Sequence, residues 1–103
     1  MVQFQNNVLN FFDDLIYALF ENEYFGYVES SKEYVNKIVD FIYSNIDTFP
    51  PKTTPAELQK FGSTSIFYKI NPRTTWYIFF EKQNNIYLIT KIINNHCKEA
   101  KWL

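Results

Sequence analysis

Cysteine occurs once in this chain, at position 97. A single thiol excludes an internal disulfide and every multi-cysteine zinc pattern. Catalysis by Cys97 would need an activating base and surroundings that favour the thiolate, so it reads as a bystander. Glycine occurs twice, too seldom for a glycine-rich phosphate loop or a flexible linker. Histidine occurs once, so a metal site would have one His and no cysteine cluster to draw on. No apolar run approaches the roughly 20 residues of a membrane span. The N-terminus lacks the basic-then-apolar layout of a secretory signal. Together these absences lead to the expectation of a soluble chain in a reducing, cytoplasmic setting.

Aromatic residues, by contrast, make up 20% of the 103 residues, and apolar residues 47%. This length fits one domain, spanning 1–103. Large rings bury much area per residue, which suits a small domain with little interior. The net charge is −1, but its signs are segregated. Residues 1–49 hold eight acids and two bases, and residues 50–103 hold eight bases and three acids. An acidic first half and a basic second half suggest a face for an anionic partner.

The apolar pattern changes period along the chain. Val2-Gln3-Phe4-Gln5 alternates like a short strand. Asn6 or Asn7 then offers an N-cap. Val8, Leu9, Phe12, Leu15, Ile16 and Leu19 follow at helical spacing, predicting a helix over about 7–22. Glu21 to Glu23 and Gly26 mark its end and a loop. Ser30-Ser31-Lys32-Glu33 has the form of a capping box. Val35, Ile38, Val39, Ile42 and Ile46 make an apolar stripe, predicting a second helix over about 31–47. Pro50-Pro51 stops it. The short link between the helices predicts an antiparallel helical hairpin.

Residues 49–64 read as a loop, with a helical turn at Ala56-Glu57-Leu58. Aromatic and β-branched residues then dominate. Strands are expected over about 65–70, 75–82 and 86–94. Asn71-Pro72-Arg73-Thr74 supplies the first turn, since Pro presets φ at its second position. Gln83-Asn84-Asn85 supplies the second, since Asn tolerates positive φ. The fold class is α+β: a short N-terminal strand, a helical hairpin, and an antiparallel sheet on which it packs. Trp76, Ile78 and Phe80 share one sheet face; Thr75, Tyr77, Phe79 and Glu81 share the other. One face is expected under the helices, leaving aromatics and basic groups available on the other.

The order β-α-α-β-β-β resembles the RelE/ParE toxin superfamily over nearly the whole length. Phe67-Tyr68-Lys69-Ile70 resembles its second strand. Trp76-Tyr77-Ile78-Phe79-Phe80-Glu81 resembles the third, and Ile86-Tyr87-Leu88-Ile89-Thr90-Lys91-Ile92-Ile93 the fourth. Asn95-His96 falls where the family carries a strand-end His or Arg. The resemblance implies the toxin of a type II toxin–antitoxin pair, related to plasmid-stabilisation proteins. Its implied partners are a cognate antitoxin and either mRNA on the ribosome or DNA gyrase.

For an mRNA interferase, cleavage through the 2′-hydroxyl needs a proton acceptor, cations for the phosphorane charge and an acid for the leaving oxygen. No metal or other cofactor is implied. By position, the resemblance assigns catalytic roles to His96 and Lys69, and Arg73 is the third catalytic candidate. Lys69 matches a strand-two lysine, and Asn71 falls where a second lysine is common. Ile78 stands where a strand-three arginine is usual, and Arg73 in the turn would compensate. Histidine changes charge near neutral pH, which suits a proton shuttle. RNA contacts are expected from Lys91, Lys98, Lys101 and Trp102, the last by stacking on a base. Each has a plainer reading: His96 as a polar strand end, Lys69, Arg73 and the other lysines as solvated surface, and Trp102 as packing. Asp13 and Asp14 are adjacent on a helix and point about 100° apart, so they form no paired-carboxylate site. Three functions remain open: mRNA endonuclease, gyrase inhibitor and non-catalytic antitoxin-binding module.

Overall fold

The computed structural model describes residues 1–21 and 28–103. Strand β1 (Val2–Phe4) leads into helix α1 (Asn6–Glu21), and helix α2 (Val28–Asn45) follows. The second half holds β2 (Lys52–Thr53), β3 (Thr64–Asn71), β4 (Thr74–Gln83) and β5 (Ile86–Asn94). Two 3-10 helices, Ala56–Phe61 and Lys98–Trp102, complete the chain. The fold is α+β, as the change of period implies.

The strands form one sheet in the order β1-β5-β4-β3-β2. The three long strands pair antiparallel, and β1 joins β5 in parallel. The sheet is therefore mixed. Crossing from β1 to β5 takes the whole chain between them, so no tight turn constrains their direction. Strand β2 is an addition that two residues of alternating pattern cannot signal. Both hairpins close as their turn residues dictate. Asn71 pairs with Thr74 around Pro72-Arg73, and the Asn71 Oδ1 accepts the Arg73 amide at 2.8 Å. Gln83 pairs with Ile86, and Asn84 takes a φ of 55°, a conformation Asn tolerates better than most residues.

Helix boundaries differ from expectation in two instructive places. The carbonyl of Gln5 accepts the amides of Val8 and Leu9 at 2.9 and 3.2 Å. Asn7 does not cap the helix with its side chain; its Nδ2 donates to the Thr90 carbonyl at 3.0 Å, tying α1 to β5. Ser30 and Glu33 lie inside α2 rather than at its start, so they form no capping box. Ser31 is instead fully buried. The expected loop around Asn22, Glu23 and Gly26 lies outside the described residues.

The main core lies between the helices and one sheet face, here called the inner face. Val8 and Phe12 of α1 meet Val35, Ile38 and Ile42 of α2 and, from the sheet, Ile66, Trp76, Ile78, Phe80, Ile89 and Ile92. These are the residues that the helical and strand periods place on one side. Burying each aliphatic side chain contributes roughly 1.5–3 kcal/mol.

The outer face departs from expectation. Leu58 of the first 3-10 helix seals a second core with Phe79 and Ile93, and Phe79 is 0% exposed. Thus Trp76, Ile78 and Phe80 do alternate with Phe79, but both faces are buried at this point. A bulge helps. Phe79 pairs with Lys91 while Phe80 pairs with Ile89, leaving Thr90 as the extra residue. The Thr90 hydroxyl bonds to the Phe61 carbonyl. Lys91 Nζ lies 5.2 Å from the centre of the Phe61 ring. Gly62 permits this close approach: a Cβ there would lie 2.7 Å from Thr90 Oγ1 and 3.0 Å from Phe79 Cβ.

The β3 edge is also protected. Strand β2 covers only Thr64 and Ser65. Beyond them, the Phe49 ring contacts Phe41 and Phe67 edge-on, at 5.7 and 5.1 Å between centroids. Phe41 packs with the inner core, whereas Phe67 alternates onto the outer face. Phe49 therefore wraps the edge and hinders pairing with a foreign strand.

Candidate functional site

The site begins with asparagines at the end of β5. Asn95 donates its amide to the Thr75 carbonyl at 3.0 Å. Its side chain accepts the Thr75 amide at 2.9 Å and donates to the Arg73 carbonyl at 3.1 Å. One residue thus clamps the end of β5 to the β3–β4 turn. Asn94 Oδ1 accepts the His96 amide at 2.9 Å, turning the chain away from the sheet. Thr74 Oγ1 then lies 3.3 Å from His96 Nε2. The clamp brings Arg73 and His96 to one cleft although they lie 23 positions apart in the chain.

That place is a cleft of about 630 Å³ at the end of the sheet. Leu15 and Leu19 of α1 and Tyr34 of α2 wall it, Trp76 floors it, and Asn71, Arg73, Asn94 and His96 form its rim. Trp76 is held by its indole N–H, which donates to the Tyr34 hydroxyl at 3.1 Å. An apolar floor with a few convergent polar groups is the usual form of a ligand site. The Arg73 guanidinium supplies a permanent cation. His96 supplies a group able to accept or donate a proton. Both side chains are exposed, so both can meet a substrate entering from solvent.

The other expected residues lie elsewhere. Lys69 is exposed on the outer face and pairs in register with Thr75. It is not among the residues lining the cleft. Ile78, where the resemblance places an arginine, is 0% exposed beneath the helices; a guanidinium there would be a buried, unpaired charge. Lys91 borders a different groove with Asn7 and Asp14. Lys98 is exposed in the C-terminal 3-10 helix. Lys101 Nζ stands 5.1 Å from the centroid of Trp102. Trp102 lines an outer-face groove of about 330 Å³ with Lys52, Phe67, Thr75 and Tyr77. So Arg73 and His96 converge, Lys101 and Trp102 form a second pair, and Lys69 and Lys91 join neither cleft lining nor each other.

Sequence reasoning missed the walls Leu15, Leu19 and Tyr34, and the bracing role of Asn94 and Asn95. The one available signal was the pair of asparagines closing a β-branched strand, which resembles the Asn84-Asn85 turn. Comparison with known proteins supplies no relative: no protein-family model, curated protein or solved structure matches this chain.

Proposed function

We propose that this chain is the toxin of a type II toxin–antitoxin pair, acting on mRNA through a His96-dependent cleavage. The observation that carries this reading is the shared cleft of Arg73 and His96, braced by Asn95. In the cleavage step His96 takes the 2′-hydroxyl proton, the 2′-oxygen attacks the adjacent phosphorus, and the bond to the 5′-oxygen breaks; that oxygen takes a proton from solvent, leaving a 2′,3′-cyclic phosphate and a 5′-hydroxyl end. Arg73 balances the charge that builds on the non-bridging oxygens. The element order supports the same reading through its resemblance to the RelE/ParE layout.

The test is inducible expression in bacteria, with and without the neighbouring reading frame. The expected outcome is growth arrest that the neighbour relieves and that His96→Ala abolishes. Arrest undiminished by His96→Ala would transfer the reading to a gyrase inhibitor, which needs surface contacts rather than a proton carrier. A second reading, a non-catalytic antitoxin-binding module, is favoured by one observation: Lys69 lies on the outer face, away from Arg73 and His96. Soluble protein that never arrests growth, yet binds the neighbour's product, would select it.

A further inference from the structure

The cleft that holds Arg73 and His96 has two levels. Strand cleavage uses its rim and gives no task to the interior below. That interior is apolar. Leu15, Ala18 and Leu19 come from one stripe of α1, and Tyr34 of α2 and Trp76 of β4 complete it. Leu15, Leu19 and Tyr34 are only half-buried, so an apolar body set among them would complete their burial. Trp76 is fixed by its bond to the Tyr34 hydroxyl, so the floor is preformed.

The rim has one polarity. The Asn71 Oδ1 accepts the Arg73 amide at 2.8 Å, and the Asn94 Oδ1 accepts the His96 amide at 2.9 Å. Each side-chain amide has one oxygen and one NH2 group. With the oxygens turned onto the backbone, the two Nδ2 groups are left to donate outward. Arg73 adds donors and no acceptor. None of the described residues lining the cleft is acidic. A rim of donors without a carboxylate of its own suits an anion.

We propose that this cleft binds a small apolar acid, a compact hydrocarbon body ending in one carboxylate. The body lies among Leu15, Leu19 and Tyr34. The carboxylate meets the planar guanidinium of Arg73, whose fork matches its two oxygens, and Asn71 and Asn94 donate beside it. The cleft volume of about 630 Å³ falls within the roughly 300–1,000 Å³ of small-molecule sites. A phosphodiester engages the rim alone and leaves the interior in water. A neutral apolar compound fills the interior and leaves the donors without a charged partner. A ligand so placed covers Arg73 and His96, yet its binding does not depend on the toxin reading.

The test is calorimetric titration of the full chain with naphthylacetate and three comparators. Naphthylacetamide keeps the body without the charge, acetate keeps the charge without the body, and naphthyl phosphate exchanges the anion. Naphthylacetate is expected to bind at least about tenfold more tightly than the amide, the effect of a charged hydrogen bond. Acetate should bind about a hundredfold more weakly, having no apolar area to bury. Arg73→Gln should erase the preference for acid over amide and leave the amide unchanged. Leu19→Ala should weaken acid and amide alike. Lys52→Ala removes a cation from the outer face and should change neither. Circular dichroism checks that each variant is folded. No binding of naphthylacetate at about 1 mM, equal binding of acid and amide, or a preference that survives Arg73→Gln would each overturn the proposal. So would naphthyl phosphate binding tenfold more tightly than the carboxylate, which would assign the rim to phosphate. Growth arrest is read in a separate experiment, so either this proposal or the toxin reading can fail alone.

Discussion

The inner and outer faces of this sheet are built from the same alternating residues and end in different states. The inner face is continuous: α1 and α2 lay Val8, Phe12, Ile38 and Ile42 over Ile66, Ile78, Phe80 and Ile89. The outer face is covered only in part, by a short 3-10 helix that contributes Leu58. What separates the faces is the length of apolar stripe laid over each. Two long amphipathic helices can shield a whole face; a 3-10 helix of six residues shields one ring and its neighbours. The uncovered remainder leaves Phe67 and Trp102 partly in solvent.

The comparison is sharpest at Phe79 and Ile78, adjacent residues on opposite faces. Both are 0% exposed. Phe79→Ala should cost about 3–5 kcal/mol and Ile78→Ala about 2–5 kcal/mol in chemical denaturation. A loss below about 1 kcal/mol for Phe79→Ala would break the idea that the closed half of the outer face is a true core. Gly62→Ala comes next. Its Cβ would press on Thr90 Oγ1, Phe79 Cβ and the Phe80 amide, and its φ of 155° is one that L side chains rarely adopt, so a loss of about 1–3 kcal/mol is expected from overpacking and backbone strain. Pairing it with Thr90→Ser should leave the loss little changed, since serine keeps the hydroxyl that the Cβ would meet and the other contacts and the backbone angle are untouched.

Phe67→Ala should cost about 1–2 kcal/mol, from its edge-on contact with Phe49 together with the apolar area the ring buries. A larger loss would place Phe67 in the core rather than at the sheet edge. The smallest change in stability is expected from His96→Ala, within about 0.5 kcal/mol, because His96 is an exposed surface residue. That small loss, together with abolished growth arrest, would separate a functional role of His96 from a structural one.

Much of the architecture was legible beforehand because it depends on local rules. The switch from helical spacing in Val35, Ile38 and Ile42 to alternation in Trp76, Ile78 and Phe80 identified helices and strands. Asn71-Pro72 and Asn84-Asn85 identified the turns, since few residues accept those backbone angles. The position of β5, Ile86–Asn94, followed from the same markers. The capping box at Ser30 failed because a four-residue match carries no information on where tertiary contacts begin the helix. Strand β2 failed because two residues hold no period. For the site, Arg73 and His96 were legible as chemistry, but their meeting was not. It rests on the side chain of Asn95 reaching Thr75 and Arg73 across the ladder. Lys69 fits the same chemistry, yet alternation along β3 turns it to the other face.

The sequence alone therefore determined the elements, the turns, the segregation of charge and the residues able to carry protons or stack on bases. These depend on backbone angles and spacing, which are short-range. Only the tertiary structure decided which residues share a surface. It buried Ile78 and Phe79 on opposite sides, placed Arg73 and His96 around one cleft over Trp76, and set Trp102 beside Phe67 and Tyr77 in one groove. Those neighbours come from separate strands and from the last turn of the chain. Their meeting depends on sheet register, on a bulge at Thr90 and on how much of each face the helices can cover, quantities that no local pattern encodes.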